Sequence, residues 1–416
     1  MNSFDIFAKI QKNKYEIMNS TYLFAIILAG GYIGSRVIFT RFKLTGETLH
    51  LFLLGGEYIL IGYLLGPSVF NILNREIIHE FSPVIVVGIG WLGLLLGNQL
   101  SIRNLRRFPL SLYQLLTVQN LFFLIISAFF IWGAAKFFPG ELKNMGFANL
   151  GILIAAMMAT SPTVLSLMAH ILHIPNRFTF ILRFLSSVEG FIGILLLGFI
   201  YSMIHEPLLL FNFYLTGIHW FVITLLLAGL GGLFFHLIMR ETNSDFETVL
   251  IIMGIVIFTG GMSYYLNLSA LFVSFVIGFV MANLSNMQVR VNQILASTEK
   301  QFYIVFLIFA GALWNFQNWQ LLFIAPLFVL FRIAAKFLST YCATRIIEGY
   351  KKEHPAAGLG LSSVAGLALA ITLEFYLMRP GQFSGWLLNL MILMVLLNQV
   401  AAPVLLRQLL PRLRLK

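Results

Sequence analysis

Long uninterrupted apolar runs dominate this chain of 416 residues. A helix needs about 20 predominantly apolar residues to cross the hydrocarbon core of a bilayer. About thirteen stretches approach that length, near residues 21–40, 49–73, 80–98, 112–135, 148–170, 179–203, 217–239, 248–264, 268–285, 301–315, 319–344, 356–378 and 385–406. Their apolar residues are continuous rather than alternating, which excludes a β-barrel. The sequence therefore predicts an all-α polytopic membrane protein with about thirteen transmembrane helices.

Polar residues are too few for a separate soluble domain. Charged residues make up 10% of the chain, whereas soluble domains carry about 25%. We predict a polar N-terminal segment over residues 1–20 and a single transmembrane domain over residues 21–412. The composition excludes an ordinary soluble enzyme and a nucleic-acid partner. The lone cysteine, Cys342, and the scattered histidines give no ligand spacing, so we expect no metal and no cofactor.

The distribution of basic residues predicts the orientation in the membrane. Lys and Arg residues number 27 against 16 Asp and Glu, and such an excess marks cytoplasmic loops. Placing the C-terminus inside gives the inner loops about twice as many basic residues as the outer loops. We therefore expect a multi-pass protein of the inner (plasma) membrane, with its N-terminus outside and its C-terminus in the cytoplasm.

An internal similarity at a spacing of about 212 residues predicts repeats. YLLGPSVFNIL (63–73) aligns with FVIGFVMANLS (275–285), and GLLLGNQLS (93–101) aligns with IFAGALWNF (308–316). Two repeats of five spans each, about 49–203 and 268–406, would have opposite topologies, as in inverted-repeat transporters. The alternative is chance similarity among apolar helices.

Few charges lie inside the apolar runs, and a charge at mid-bilayer costs about 3 kcal/mol or more unless it has a partner. The embedded charges are Glu57, Glu189, Glu374, Arg183, Arg332 and Lys336. Glu189 lies six residues after Arg183, about 120° away around the helix, so the two are poor partners. Glu189 is therefore the candidate to carry a proton and a cation. We expect Glu57 to be a structural carboxylate or a partner for an embedded cation, and Glu374 to lie at the membrane interface.

Arg332 and Lys336 share one helix face, where their charges repel unless a carboxylate or helix C-terminal carbonyls lie near. Lysine can lose its proton when buried, whereas arginine stays charged. Lys336 is the candidate for titration and Arg332 for a fixed structural charge. In the alternative, both side chains reach to an interface.

Two spans contain helix-weakening residues. Pro162 interrupts AAMMATSPTVLSL, and four glycines and two serines weaken AAGLGLSSVAGLALA. Such interruptions in matching halves point to a midplane site lined by freed carbonyls and hydroxyls. The candidate ligands are Thr160, Ser161, Thr163, Ser362 and Ser363. The alternative is a plain proline kink and a small-residue packing face.

Several segments resemble the monovalent cation:proton antiporter superfamily. They are GEYILIGYLLGPSVFNIL, GLLLGNQLSIRNLRR, ATSPTV, SSVEGF, KFLSTYCATRI, LGLSSVAGLALAI and NQVAAPVLLRQLL, in family order from about residue 50 to 412. The resemblance implies a homodimer with two crossed broken helices and an elevator-like motion. It places Ser161 and Thr163 at the first break and Ser362 and Ser363 at the second. Glu189 stands at the ion-carrying carboxylate, with Lys336 or Arg332 opposite.

The chain departs from this family as a divergent member. Ser161 stands where the family has an acid, and Gly190 follows Glu189, so one carboxylate remains of the usual pair. One carboxylate and one titratable lysine favour electroneutral exchange of Na⁺ or K⁺ for a proton. The same reduction favours an alternative, a transport-fold protein with a degenerate site that acts as a scaffold, sensor or partner subunit. A third hypothesis is carriage of an organic or anionic substrate.

Overall fold

The protein is described by a computed structural model. It describes residues 55–106, 108–137, 145–160, 176–206, 208–210, 213–240, 244–284, 288–315, 320–347, 357–364 and 366–413. The elements are α1 (Gly56–Leu65), α2 (Arg75–Glu80), α3 (Ser82–Gln99), α4 (Ile102–Leu105), α5 (Leu110–Phe137), α6 (Phe147–Met158), α7 (Asn176–Ile204), β1 (Leu208–Leu210), β2 (Phe213–Leu215), α8 (Gly217–Arg240), α9 (Asp245–Tyr265), α10 (Ala270–Leu284), α11 (Gln288–Ala312), α12 (Leu321–Ile346), α13 (Ala357–Gly360), α14 (Gly366–Met378) and α15 (Gln382–Leu413).

The helical, multi-span architecture predicted from the sequence is confirmed. Within the described ranges, 8 helices are long and apolar enough to cross a membrane, and four shorter apolar helices accompany them. The predicted span at 21–40 and the polar segment at 1–20 lie outside the described residues, so the count of thirteen stays a prediction. Among the described residues, β1 and β2 pair as a small antiparallel hairpin, which lies between α7 and α8 along the chain.

Close glycine contacts build the first of two helix groups, the glycine-packed group (α1, α3 and α8–α11). α1 packs on α11, and α3 packs on α10. A Cβ on Gly66 would collide with Ala312, and a Cβ on Gly278 would collide with the Leu94 carbonyl. Only glycine allows backbones to approach this closely. Gly66 and Gly278 are the two glycines that the repeat alignment pairs, which supports the predicted repeats; their boundaries stay a prediction.

The second group, the site group, comprises α5–α7 and α12–α15 and contains the described ends of both predicted interruptions. α6 ends at Met158, and Ala159 leaves the helix with φ −59° and ψ 116°. α13 ends at Gly360, and α14 starts only at Gly366. Both predicted interruptions therefore coincide with helix ends, although Ser161 and Thr163 lie outside the described residues.

α11 begins well before the apolar run that predicted it. The helix starts at Gln288, whereas the run starts near residue 301. Its polar first half still has a buried side, because Val291 and Leu295 are at most 2% exposed. Trp91 donates a hydrogen bond from Nε1 to the Leu295 carbonyl at 3.3 Å. An amphipathic extension of this kind carries no long apolar run, so a hydropathy window misses it.

The prediction that Glu374 lies at the membrane interface stays a prediction, but its side chain is not exposed on the protein surface. Its side chain is fully buried at the start of α10. Its carboxylate accepts hydrogen bonds from Ser269 Oγ at 3.0 Å and from the Leu271 amide at 3.2 Å. The first amides of a helix have no partner within the helix, and a carboxylate is favourable there. Glu374 thus connects α14 of the site group to α10 of the glycine-packed group.

Glu374→Leu is expected to lower the free energy of unfolding by about 1–3 kcal/mol, because the Leu271 amide and the Ser269 hydroxyl lose their acceptor. The matched control is Thr372→Val on the same helix, where the hydroxyl bonds only to carbonyls of its own helix. Thermal unfolding in detergent measures the stability of both purified variants. Equal melting temperatures for the two variants would contradict the capping role of Glu374.

Candidate functional site

Glu189 lies at the centre of a buried polar cluster in the site group. It is carried by α7 and is 0% exposed. Its Oε2 lies 2.7 Å from Lys336 Nζ. The Thr160 hydroxyl donates to the same oxygen at 2.7 Å, and Gln119 Nε2 donates to Oε1 at 2.7 Å. The buried carboxylate therefore has an opposite charge and two further donors, which is the condition for keeping a charge in a membrane protein.

The two basic residues of α12 also satisfy the open end of α6. The last carbonyls of a helix have no partner within it and carry a partial negative charge. Arg332 donates from Nε to the Met157 carbonyl at 2.6 Å and from Nη2 to the Ala159 carbonyl at 3.1 Å. Lys336 Nζ donates to the Met158 carbonyl at 3.2 Å. The sequence required either a carboxylate or helix carbonyls beside this pair, and the structure supplies both.

The second interruption meets the first at the same place. Arg332 Nη1 donates to the Ser362 carbonyl, to which Asn398 Nδ2 also donates at 2.6 Å. The Thr160 hydroxyl lies 3.2 Å from the Leu361 carbonyl. Arg332 also reaches Thr160 Oγ1 at 3.3 Å. Arg332 therefore connects both interruptions through its hydrogen bonds, which fixes the backbone around the Glu189 carboxylate.

The region where the two interruptions meet around Glu189 is the junction. Most of the side chains singled out in the sequence lie there. The structure brings together Glu189, Thr160, Ser362, Lys336 and Arg332, and Ser363 is buried at the same interruption. The alternative in which the basic pair reaches to an interface is wrong, because both side chains are at most 1% exposed.

The remaining embedded charges lie elsewhere. Arg183 is exposed on α7, in agreement with its poor geometry for pairing with Glu189. Glu57 lies in the first turn of α1, in the glycine-packed group. The structure therefore places neither residue in the cluster around Glu189.

Two members of the cluster were missed from the sequence, Gln119 on α5 and Asn398 on α15. Both are at most 2% exposed. The signal that could have found them is a side-chain amide inside an apolar run, because buried polar groups are costly unless they are hydrogen-bonded. Phe123, one helical turn after Gln119, places its ring 4.5 Å from Lys336 Nζ. α5 thus closes one side of the junction.

A small cavity of about 40 Å³ adjoins the junction. Its wall includes Thr160, whose hydroxyl contacts Glu189, Gly190, which follows Glu189 on α7, and Gln99 of α3. Ser186 and Ser187 are further polar residues in a mostly apolar lining. The site group and the glycine-packed group both contribute to this cavity, which lies beside the buried carboxylate without reaching it.

Comparisons with known proteins agree with this architecture. Residues 20–411 match the family model described as sodium/hydrogen exchanger, transmembrane. No curated protein sequence matches the chain. Among solved structures, the chain is similar to the sodium proton antiporter MjNhaP1 from Methanocaldococcus jannaschii at pH 8, with a TM-score of 0.66 and 14% sequence identity. The match covers 96% of this chain and 99% of that one. At this low sequence identity, the structural match shows a shared fold alone.

Proposed function

This multi-pass membrane protein belongs to the sodium/hydrogen exchanger family, and from that premise we propose that it exchanges a monovalent cation, Na⁺ or K⁺, for protons. The observation that carries the proposal is the buried ion pair of Glu189 and Lys336, 2.7 Å apart beside the end of α6. A transporter of this family needs a carboxylate that binds a cation, and we propose Glu189 for that role.

Competition for the Glu189 carboxylate provides the coupling. In the described state Lys336 occupies the carboxylate, so a cation has to displace its ammonium group. The pair then gives up one proton, either from Lys336 or from Glu189. One positive charge enters and one leaves, so the net charge of the site is unchanged. This balance favours electroneutral exchange of one cation per proton.

Oxygen atoms complete the proposed cation shell, as hard cations prefer. The Thr160 hydroxyl already touches the carboxylate. The Ser362 hydroxyl is buried and has no hydrogen-bond partner among the described residues. Ser363 lies beside it, and we propose Ser161 and Thr163 as further ligands from their sequence positions. Glu57 remains a proposed structural carboxylate.

The full occupancy of the carboxylate favours a second candidate function. Lys336, Thr160 and Gln119 together contact both oxygens of Glu189. A permanently closed cluster of this kind would suit a transport-fold scaffold, sensor or partner subunit. The two candidates differ in whether a cation displaces Lys336, which flux measurements decide.

The test is proton flux in proteoliposomes against a panel of Na⁺, K⁺, Li⁺ and choline. We expect the internal pH to respond to at least one small cation and not to choline, because choline cannot enter an oxygen shell. An equal rate with and without a membrane potential would support the electroneutral stoichiometry. The same flux with every cation, or no flux with any, would favour the scaffold. The homodimer, the inner-membrane location and the outside N-terminus remain proposals from the family resemblance and the charge pattern.

A further inference from the structure

We propose that Gln119 is a cation ligand and that its side-chain amide sets the ion selectivity of the site. The inference deepens the proposed exchange function and rests on it. It starts from one neutral side chain on α5 that contacts the Glu189 carboxylate and is 1% exposed.

The hydrogen bonds of Gln119 are incomplete in the described state. Its Nε2 donates to Glu189 Oε1 at 2.7 Å. Its own Oε1 is buried and has no hydrogen-bond partner among the described residues. A buried acceptor without a partner costs free energy. The two atoms belong to one planar amide, so the open acceptor lies close to the carboxylate.

A cation on Glu189 would satisfy this acceptor. Carbonyl oxygens are favoured ligands of hard cations. When a cation replaces the Lys336 ammonium, the NH₂ group of Gln119 would face a positive charge. Rotation about the last torsion of glutamine exchanges the two ends of the amide, and this torsion is broad and roughly twofold. The rotation gives up only the bond from Nε2, because Oε1 has no partner to lose in the described part of the chain.

The neighbouring amide differs from Gln119 in the direction of its donated hydrogen bond. Asn120 is 3% exposed and its Oδ1 likewise has no hydrogen-bond partner among the described residues, but its Nδ2 donates to the Leu116 carbonyl at 2.9 Å, one turn earlier in α5. Gln119 instead donates across 70 positions of sequence to the carboxylate. Phe123 lies on the same face of α5 and contacts the Lys336 ammonium through its ring. Gln119 and Phe123 on this face of α5 therefore contact the ion pair, whereas Asn120 donates within its own helix.

The length of residue 119 would then determine which cation fits. The carboxylate and the Thr160 hydroxyl are held by several contacts, whereas the Gln119 carbonyl ends a flexible side chain. Removing one methylene moves this oxygen away from the carboxylate and enlarges the shell. Gln119→Asn should therefore favour a larger cation relative to a smaller one. Gln119→Met keeps the approximate shape and removes the oxygen altogether.

The experiment measures half-saturating concentrations of Na⁺, Li⁺ and K⁺ for proton flux in proteoliposomes. We expect Gln119→Met to raise the half-saturating concentration of the preferred cation by about tenfold or more. We expect Gln119→Asn to change the ratio of the Na⁺ and K⁺ values. Asn120→Leu, the matched control on α5, should leave that ratio unchanged. Size-exclusion profiles confirm that each variant is folded, and Gln119→Asn serves if Gln119→Met does not fold.

Two results would overturn the inference. If Gln119→Met keeps the wild-type half-saturating concentrations, or lowers only the maximal rate with unchanged ion ratios, Gln119 is at most a positioning residue. If the flux in that case still depends on Glu189, the proposed exchange function remains supported. Absence of cation-dependent flux in the wild-type protein removes both proposals at once.

Discussion

Glu189→Gln is expected to reduce cation-dependent proton flux to the level of empty liposomes. The substitution keeps the size of the side chain but removes the group that carries a proton or a cation. A neutral amide cannot balance a cation, and the single carboxylate of the site has no substitute within the cluster. Lys336 would lose its only ion-pair partner in the described part of the chain, and a buried unpaired charge is strongly unfavourable. The ammonium would then release its proton, and no coupled cycle remains.

Glu374→Gln is the matched control for this variant. It also removes one buried carboxylate from a transmembrane helix, but Glu374 contacts the start of α10 and not Lys336. We expect it to retain cation-dependent flux when assayed below its melting temperature. Glu189→Asp should retain partial flux, because the charge remains while the shorter side chain lengthens the 2.7 Å contacts. Exchange by Glu189→Gln at the wild-type rate would reject the proposed coupling.

The fold follows largely from the apolar runs. Length and continuity predict the long helices, such as α5 and α12, because a bilayer requires about 20 apolar residues for each span. The beginning of α11 and the hairpin of β1 and β2 escaped prediction, since neither is marked by a long apolar run. In the sequence, the glycines that make close contacts between helices appeared only as matching positions in the repeat alignment. That Gly278 lets α10 touch α3 depends on how the helices cross, which a single sequence does not contain.

The charged residues of the site and the hydroxyl residues at the interruptions were predictable, whereas the side-chain amides were not. Glu189, Arg332 and Lys336 are conspicuous because ionisable residues are rare within apolar spans. Gln119 carries no charge, so it does not stand out from tolerated polar residues. The partner of Glu374 was not predicted, because its position near the end of a run suggested only an interface, whereas the carboxylate contacts the start of another helix. Predicting that contact requires the packing of α14 against α10.

Arg332→Met is expected to cause the largest loss of stability among these variants. Arg332 donates to the carbonyls of Met157, Ala159 and Ser362. Methionine fills similar space but donates nothing, so the carbonyls at the end of α6 lose this donor, whereas Ser362 keeps Asn398. A buried acceptor left without its donor costs about 1–3 kcal/mol, and two carbonyls at the end of α6 are affected, which gives about 2–6 kcal/mol. We expect a loss of this size in the free energy of unfolding.

Arg345→Met and Arg332→Lys are the controls that separate the loss of the Arg332 hydrogen bonds from the loss of a positive charge. Arg345 lies on the same helix but is exposed, so its replacement should cost no more than about 0.5 kcal/mol. Lysine at position 332 keeps the charge but not the planar, forked arrangement of donors, so we expect an intermediate loss. Thermal unfolding in detergent, followed by tryptophan fluorescence, measures all three. If Arg332→Met melts together with Arg345→Met, the guanidinium does not hold the two interruptions together. If Arg332→Lys matches the wild type, charge alone is sufficient and the forked geometry contributes nothing.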